Sequence, residues 1–132
     1  LHYGVWKQSG VLIDFNMTDE PELSTIKSVG GKDMYAQKRS NGSQYSVETI
    51  SLGDLLQKYS APRQIDYLSI DTEGSELEIL SAFDFNAYDI KIITCEHNFT
   101  CDRNKIFDLL KSNGYSRRYS TMSKCDDWYV RT

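Results

Sequence analysis

Apolar residues along this chain fall into short runs of β formers, separated by stretches with helical spacing. Two of the short runs, Ile65–Asp71 and Ile90–Glu96, have the composition of buried strands. Apolar residues at helical spacing follow each run: Leu77, Ile79, Leu80 and Phe83 after the first, and Ile106, Phe107, Leu109 and Leu110 after the second. This order predicts an α/β unit whose parallel strands are joined by right-handed helical crossovers.

The beginning and the end of the chain are also rich in β formers. Leu1 to about Phe15 predicts two strands joined at Gln8–Gly10, and Tyr115–Arg131 predicts a closing hairpin around a turn at Ser123–Asp126. The polar stretch Asn16–Gln44 contains several glycines and predicts a loop.

The middle of the chain adds a short strand and a helix. Tyr45–Thr49 predicts an edge strand, and the next helix begins with Ser51 as its N-cap and ends before Pro62.

The two later helices carry their own start and stop signals. Ser75 and Glu78 have the spacing of a capping box, and Thr100 is the predicted N-cap of the last helix. Asn113–Gly114 is a typical helix stop.

Length and composition restrict the class of protein. The chain has 132 residues and a net charge of −4, which predicts a single domain over 1–132 and argues against nucleic-acid binding. It contains no apolar stretch of roughly 18 residues that would span a membrane, and no signal-peptide pattern. Its odd set of three cysteines lacks metal-finger spacing. A reducing, cytoplasmic location is therefore expected.

Polar residues that could carry chemistry follow the two buried strands. Asp71, Glu73 and Gly74 lie on the turn after the first strand, and Glu96–Asn98 follows the second. If the strands are parallel neighbours, these groups share one crevice at the carboxyl edge of the sheet. Such a group of residues can bind substrate hydroxyls, deprotonate a nucleophile through His97, or hold a hard cation such as Mg²⁺. The sequence alone does not choose among these roles, and we assign no metal site.

Other conspicuous residues have structural interpretations. Asp126–Asp127 is expected to form a solvated turn, and Trp128–Val130 is expected to lie in the core of the last strand. Cys95 lies in an apolar strand and is expected to be an inert core thiol.

Several linked motifs together resemble a known family. They are Val47–Leu56, the Asp-Thr-Glu-Gly sequence within Ile65–Leu80, Glu96–Asn98, Gly114–Tyr115 and Asp126–Val130. In this order and spacing they resemble the FkbM-type methyltransferases. The resemblance implies a Rossmann-like methyltransferase sheet, S-adenosylmethionine as cofactor, and O-methylation of a hydroxyl on a sugar, glycolipid or natural product.

The same resemblance implies roles for individual residues. Asp71 and Glu73 would face the transferring methyl group and the acceptor, with His97 as the base and Asp71 as the group that orients the acceptor hydroxyl or ligates a metal. Glu96, Asn98 and Gly74 would line the substrate site. The strand and Gly-rich turn with which such domains begin have no counterpart here. We therefore expect an N-terminally incomplete domain that lacks the first cofactor-binding strands and does not form the full cofactor site alone.

Two other functions compete with methyl transfer. Asp71–Ser75 resembles the Asp-x-Asp-Gly-Thr motif of haloacid-dehalogenase-like, Mg²⁺-dependent phosphatases, although that motif belongs on the first strand of a longer domain. Alternatively, the chain is a non-catalytic binding or assembly module. A domain without its cofactor half would leave a sheet edge and face uncovered, which predicts a homodimer.

Overall fold

The computed structural model describes residues 3–17, 25–26 and 43–132. Over these residues the chain is a mixed α/β structure with two four-stranded sheets and three helices. In chain order the elements are β1 (Tyr3–Trp6), β2 (Leu12–Met17), β3 (Thr25–Ile26), β4 (Ser43–Ser51), α1 (Leu52–Lys58), β5 (Gln64–Ile70), α2 (Glu76–Ser81), β6 (Asp89–Glu96), α3 (Asp102–Ser112), β7 (Tyr115–Arg118) and β8 (Asp126–Arg131).

The first sheet has the strand order β1-β4-β2-β3. The two predicted opening strands are present as β1 and β2, but β4 lies between them, parallel to β1 and antiparallel to β2. The prediction that Tyr45–Thr49 is an edge strand is therefore wrong, because this segment belongs to a longer strand with partners on both sides.

Most of the predicted loop Asn16–Gln44 lies outside the described residues. Its two ends and one short piece are described, and all of them are strand: they belong to β2, β3 and β4. The loop prediction is therefore wrong for these residues.

The second sheet has the order β5-β6-β8-β7 and carries the predicted α/β unit. β5 and β6 are parallel neighbours, and α2 lies between them in the chain. β8 runs antiparallel to both β6 and β7. The parallel pair and the closing hairpin are thus confirmed.

The helix ends follow local hydrogen bonding. Ser51 is the N-cap of α1, and its hydroxyl accepts a hydrogen bond from the Asp54 amide. Ser75 occupies the predicted N-cap position of α2, but its hydroxyl caps no amide and donates to Thr72 Oγ1 instead. The N-cap position of α3 belongs to Cys101 rather than Thr100.

The helix stop after α3 is confirmed. The amide of Asn113 donates to the carbonyl of Leu109, and Gly114 has φ = 85°, a left-handed conformation that glycine adopts without a Cβ clash.

The main core lies on one face of the second sheet. Alternate residues of β6, Ile93 and Cys95, are buried on this face and belong to the core cluster together with the apolar residues of α2 and α3. These helix residues are Ile79, Leu80, Ile106 and Leu110. Burial raises the pKa of the Cys95 thiol well above its ordinary value, which agrees with the predicted inert thiol.

The opposite face of this sheet is partly exposed. Trp128 is 44% exposed, so its predicted place in the core is wrong, whereas its neighbour Tyr129 is buried. Tyr67 lies on the exposed face too, with its hydroxyl 2.7 Å from Thr94 Oγ1. Among the helices of the described ranges, none has the length and apolar character that a membrane span needs.

Candidate functional site

A group of acidic side chains lies at the carboxyl edge of β5 and β6. Asp71 and Glu73 are on the turn after β5, and Glu96 is the last residue of β6. One carboxylate oxygen from each of the three lies within 4.8 Å of the others. The adjacent parallel strands therefore bring these predicted site residues together, and we call them the carboxylate cluster.

A network around Glu76 shapes the turn that carries Asp71 and Glu73. Glu76 Oε1 accepts hydrogen bonds from the amide of Thr72 at 2.8 Å and from the amide of Gly74 at 3.1 Å. Glu73 and Gly74 have φ values of 56° and 110°, so this carboxylate holds the backbone in a left-handed turn. Gly74 is predicted to line the substrate site, and its amide is bonded to Glu76.

Burial differs strongly within the carboxylate cluster. Asp71 is exposed, Glu96 is partly buried, and Glu73 is only 6% exposed. Solvent or a ligand therefore reaches the cluster from the Asp71 side.

Glu96 has an unusual protonation equilibrium. Burial, followed by the negative charges of Asp71 and Glu73 and a hydrogen bond with Asp71, raises its pKa to about 8. The cluster consequently retains a proton at neutral pH, and the deprotonated form of Glu96 is an unusually strong base for a carboxylate.

A fourth acid, Asp126, lies next to Glu96. The two residues are paired across the antiparallel β6–β8 ladder. Burial and the charge of Asp71 raise the pKa of Asp126. Asp126 is not among the predicted site residues, because its sequence predicts a turn, whereas it begins β8.

The structure does not bring His97 into the carboxylate cluster. Its side chain is only 1% exposed, and its Nε2 lies 3.8 Å from Asp127 Oδ1. Burial and the nearby Arg103 guanidinium lower the pKa of His97. The imidazole is buried beside Asp127 and apart from the carboxylate cluster, so the expectation that it faces the shared crevice is wrong.

Asn98 follows His97 in a tight turn and is likewise buried. Its φ is 39°, and that of Phe99 is 58°. Unlike Asn98, Phe99 exposes most of its ring.

Asp127 belongs to a buried ionic network, which corrects its predicted place in a solvated turn. Arg103 donates two hydrogen bonds to its carboxylate, at 2.8 and 2.7 Å, and Arg117 donates a third at 3.3 Å. These contacts join α3, β7 and β8. The arginines keep the pKa of Asp127 below its ordinary value although burial acts in the opposite direction.

The carboxylate cluster has the donor chemistry of a hard-cation site. Three carboxylate oxygens this close together could ligate Mg²⁺ or Ca²⁺. The same oxygens can also accept hydrogen bonds from hydroxyl groups or face a positively charged group. Geometry alone therefore supports cation binding, hydroxyl binding and proton transfer.

Comparison with protein families indicates the general class of the protein. A family model described as the methyltransferase FkbM domain matches residues 6–117, most of the chain. The chain belongs to the FkbM methyltransferase family. The match contains the whole carboxylate cluster and ends before β8. Searches of curated proteins and of solved structures each found no match.

Membership of the FkbM family indicates a methyltransferase in general. Open α/β sheets bind their ligands at the carboxyl ends of their strands. In this FkbM domain the acids lie at that position, at the carboxyl edge of the β5–α2–β6 unit.

Proposed function

We propose that this FkbM domain transfers a methyl group from S-adenosylmethionine to a hydroxyl of a sugar, glycolipid or natural product, on a Rossmann-like sheet. The observation that carries the proposal is the carboxylate cluster at the edge of two parallel strands in an FkbM chain. Carboxylates at this edge accept hydrogen bonds from an alcohol and can take its proton as the new C–O bond forms.

Within this proposal, Glu96 is the base. Its pKa of about 8 makes its deprotonated form well matched to removing a hydroxyl proton near neutral pH. Asp71 is the exposed member of the cluster and orients the acceptor hydroxyl. Glu73 is buried and adds a negative charge beside the other two acids. Gly74 and Asn98 line the substrate site in this proposal, with the Gly74 amide bonded to Glu76. Glu96 replaces His97 as base because the imidazole is buried.

The chemistry of the carboxylate cluster fits the cofactor in one respect. S-adenosylmethionine supplies the methyl group from a positively charged sulfonium. Carboxylates near a sulfonium are electrostatically favourable, and Asp71, Glu73 and Glu96 are the residues that we propose face it.

A calorimetric comparison of two ligands tests the proposal. S-adenosylmethionine and S-adenosylhomocysteine differ mainly in the methyl group and the positive charge. At pH 9, where Glu96 is ionised, we expect the charged ligand to bind roughly tenfold more tightly, about 1.4 kcal/mol of charge attraction. Asp71→Asn should reduce this ratio, because it removes one of the facing charges.

Asp108→Asn provides the matched control, because Asp108 is an exposed acid on α3, away from the cluster. It should leave the affinity ratio unchanged. Equal affinities for the two ligands would contradict the proposed contact between the carboxylates and the sulfonium. No measurable heat with either ligand at about 1 mM would mean that these residues alone do not form the cofactor site, as expected from the sequence, and would contradict methyl transfer by these residues alone.

The phosphatase alternative is not supported by the topology. Its motif belongs on the first strand of a domain, whereas Asp71 follows β5 and lies within the FkbM match.

The exposed face of the second sheet supports a second proposal, that this domain assembles as a homodimer. Tyr67, Ile92 and Trp128 expose 56%, 37% and 44% of their surface on this face. A twofold arrangement of two copies would cover this apolar face.

Light scattering across a concentration series tests this assembly. We expect a mass that rises to that of two chains, and Trp128→Ser should raise the dissociation constant by about tenfold or more. Tyr59→Ser is the control, because Tyr59 is also an exposed aromatic residue and lies after α1. A monomer at every concentration, or equal effects of both substitutions, would refute the proposed interface.

A further inference from the structure

The turn after β6 is tied together by a single buried residue, His97. Its Nδ1 accepts a hydrogen bond from the Phe99 amide at 3.0 Å, and its carbonyl accepts one from the Thr100 amide at 2.7 Å. Its own amide donates to the Cys125 carbonyl at 2.8 Å. His97 thus joins this turn to the segment that leads into β8.

The backbone of the turn needs such support. Asn98 and Phe99 both have positive φ, which side-chain-bearing residues rarely adopt consecutively. Conformations of this kind persist where surrounding contacts fix them. The imidazole supplies two contacts to Phe99, the hydrogen bond to its amide and an edge-on ring contact with centroids 5.1 Å apart.

The hydrogen bond also determines the state of the imidazole. An Nδ1 atom that accepts a hydrogen bond carries no proton, so the neutral ring must carry its proton on Nε2. Nε2 has no hydrogen-bond partner among the described atoms, and it faces the Asp127 carboxylate at 3.8 Å. Asp127 is itself held by Arg103.

We infer that His97 is a positioning residue, which through Nδ1 holds the Asn98–Phe99 turn in place beside Glu96 and exchanges no proton with the acceptor. The inference rests on the proposed function, in which Glu96 is the base. Because the turn begins at the residue after Glu96, a change in the turn moves the Glu96 carboxylate relative to Asp71. His97 therefore sets the geometry of the carboxylate cluster without contacting the substrate.

Nitrogen-15 NMR of the unaltered protein gives the first test. We expect a neutral His97 ring with its proton on Nε2 from pH 6 to pH 9, and slow hydrogen exchange of the Phe99 amide. A ring protonated on Nδ1, or one that carries both protons in this range, would overturn the inference. This measurement requires no substitution, so it does not depend on a variant that folds.

Two substitutions separate the role of Nδ1 from simple occupancy of the site. The carboxamide oxygen of His97→Asn can take the place of Nδ1, whereas that of His97→Gln reaches toward the place of Nε2. We expect the asparagine variant to preserve slow hydrogen exchange of the Phe99 amide. It should also preserve the raised pKa of Glu96, which is measured by carbon-13 NMR. The glutamine variant should speed exchange at least about tenfold and lower that pKa toward its ordinary value.

Equal behaviour of the two variants would overturn the positioning role. All of these readouts work without cofactor or acceptor, so they are independent of methyl transfer. If the NMR results agree and no methyl transfer is found, the proposed function fails while the positioning role stands. If methyl transfer is found and the two variants behave alike, the proposed function stands and the positioning role fails.

Discussion

Glu96→Gln is expected to lower the rate of methyl transfer by about 10²- to 10⁴-fold, the usual contribution of a general base. The substitution keeps the shape of the side chain at the end of β6 and removes the group that takes the hydroxyl proton. In the unaltered protein the rate should rise with pH and level off above about 8, as Glu96 loses its proton. The measurement is a radiolabelled methyl-transfer assay with hydroxylated acceptors, followed across pH.

The controls for this experiment distinguish a base from a structural group. His97→Asn should keep most of the rate, because it preserves the acceptor for the Phe99 amide. A Glu96→Gln variant with an unchanged rate would show that Glu96 is not the base. A His97→Asn variant as inactive as Glu96→Gln would return the base role to the imidazole.

The same substitution has an opposite effect on stability. Glu96 has a folded-state pKa of about 8, above its ordinary value of 4.5, so between these values the folded protein binds more protons than the unfolded chain. Its contribution to the free energy of unfolding therefore falls as pH rises from about 4.5 to 8. Glu96→Gln should remove this decrease and stabilise the fold above pH 8 by about 2 kcal/mol, allowing for solvent screening. Urea denaturation at pH 5 and pH 9 measures both effects.

Arg103→Ala is expected to destabilise the fold by about 3 kcal/mol, because it leaves the Asp127 carboxylate buried without its two-point partner. The side chain of Asp127 is only 2% exposed and cannot recover water without opening the contact between α3 and the sheet. Arg117 remains as one longer interaction at 3.3 Å, which compensates only in part. Urea denaturation at pH 7 measures the loss.

Two neighbouring arginines make this prediction specific. Arg117→Ala should cost less than Arg103→Ala, since it removes one hydrogen bond and a contact with the ring of Phe107. Arg118→Ala, at an exposed position on the other face of β7, should change the unfolding free energy by less than about 0.5 kcal/mol. Equal losses for Arg103 and Arg118 would mean that the buried network adds no stability.

Local patterns predicted most of the second sheet because its strands and helices are encoded by neighbouring residues. The apolar runs before Asp71 and Glu96 gave the parallel strands, and the helical spacing after each gave α2 and α3. The predicted capping box does not form with the Ser75 hydroxyl, because this hydroxyl donates to Thr72 Oγ1. Glu76 instead accepts from the amides of Thr72 and Gly74, an arrangement that depends on the three-dimensional path of the turn.

The last strand marks the limit of sequence reasoning. Adjacent residues of a strand point to opposite faces, so which residues of β8 are buried depends on its pairing register with β6. Asp126 and Trp128 lie on the face that carries Glu96, while Asp127 and Tyr129 point into the core. Because Asp126–Asp127 was predicted to be a solvated turn, neither the fourth acid of the site nor the buried ionic network of Asp127 was predicted.

The sequence by itself determined the order of the elements in the second sheet, the family, and two strands that end in acids. These features depend on local composition and on motif spacing, which the chain carries in linear form. Only the tertiary structure decided that Asp71, Glu73 and Glu96 meet and that His97 turns inward to Asp127. The pairing of β6 with both β5 and β8 sets these contacts, and the energy of burying each charge depends on partners distant in sequence.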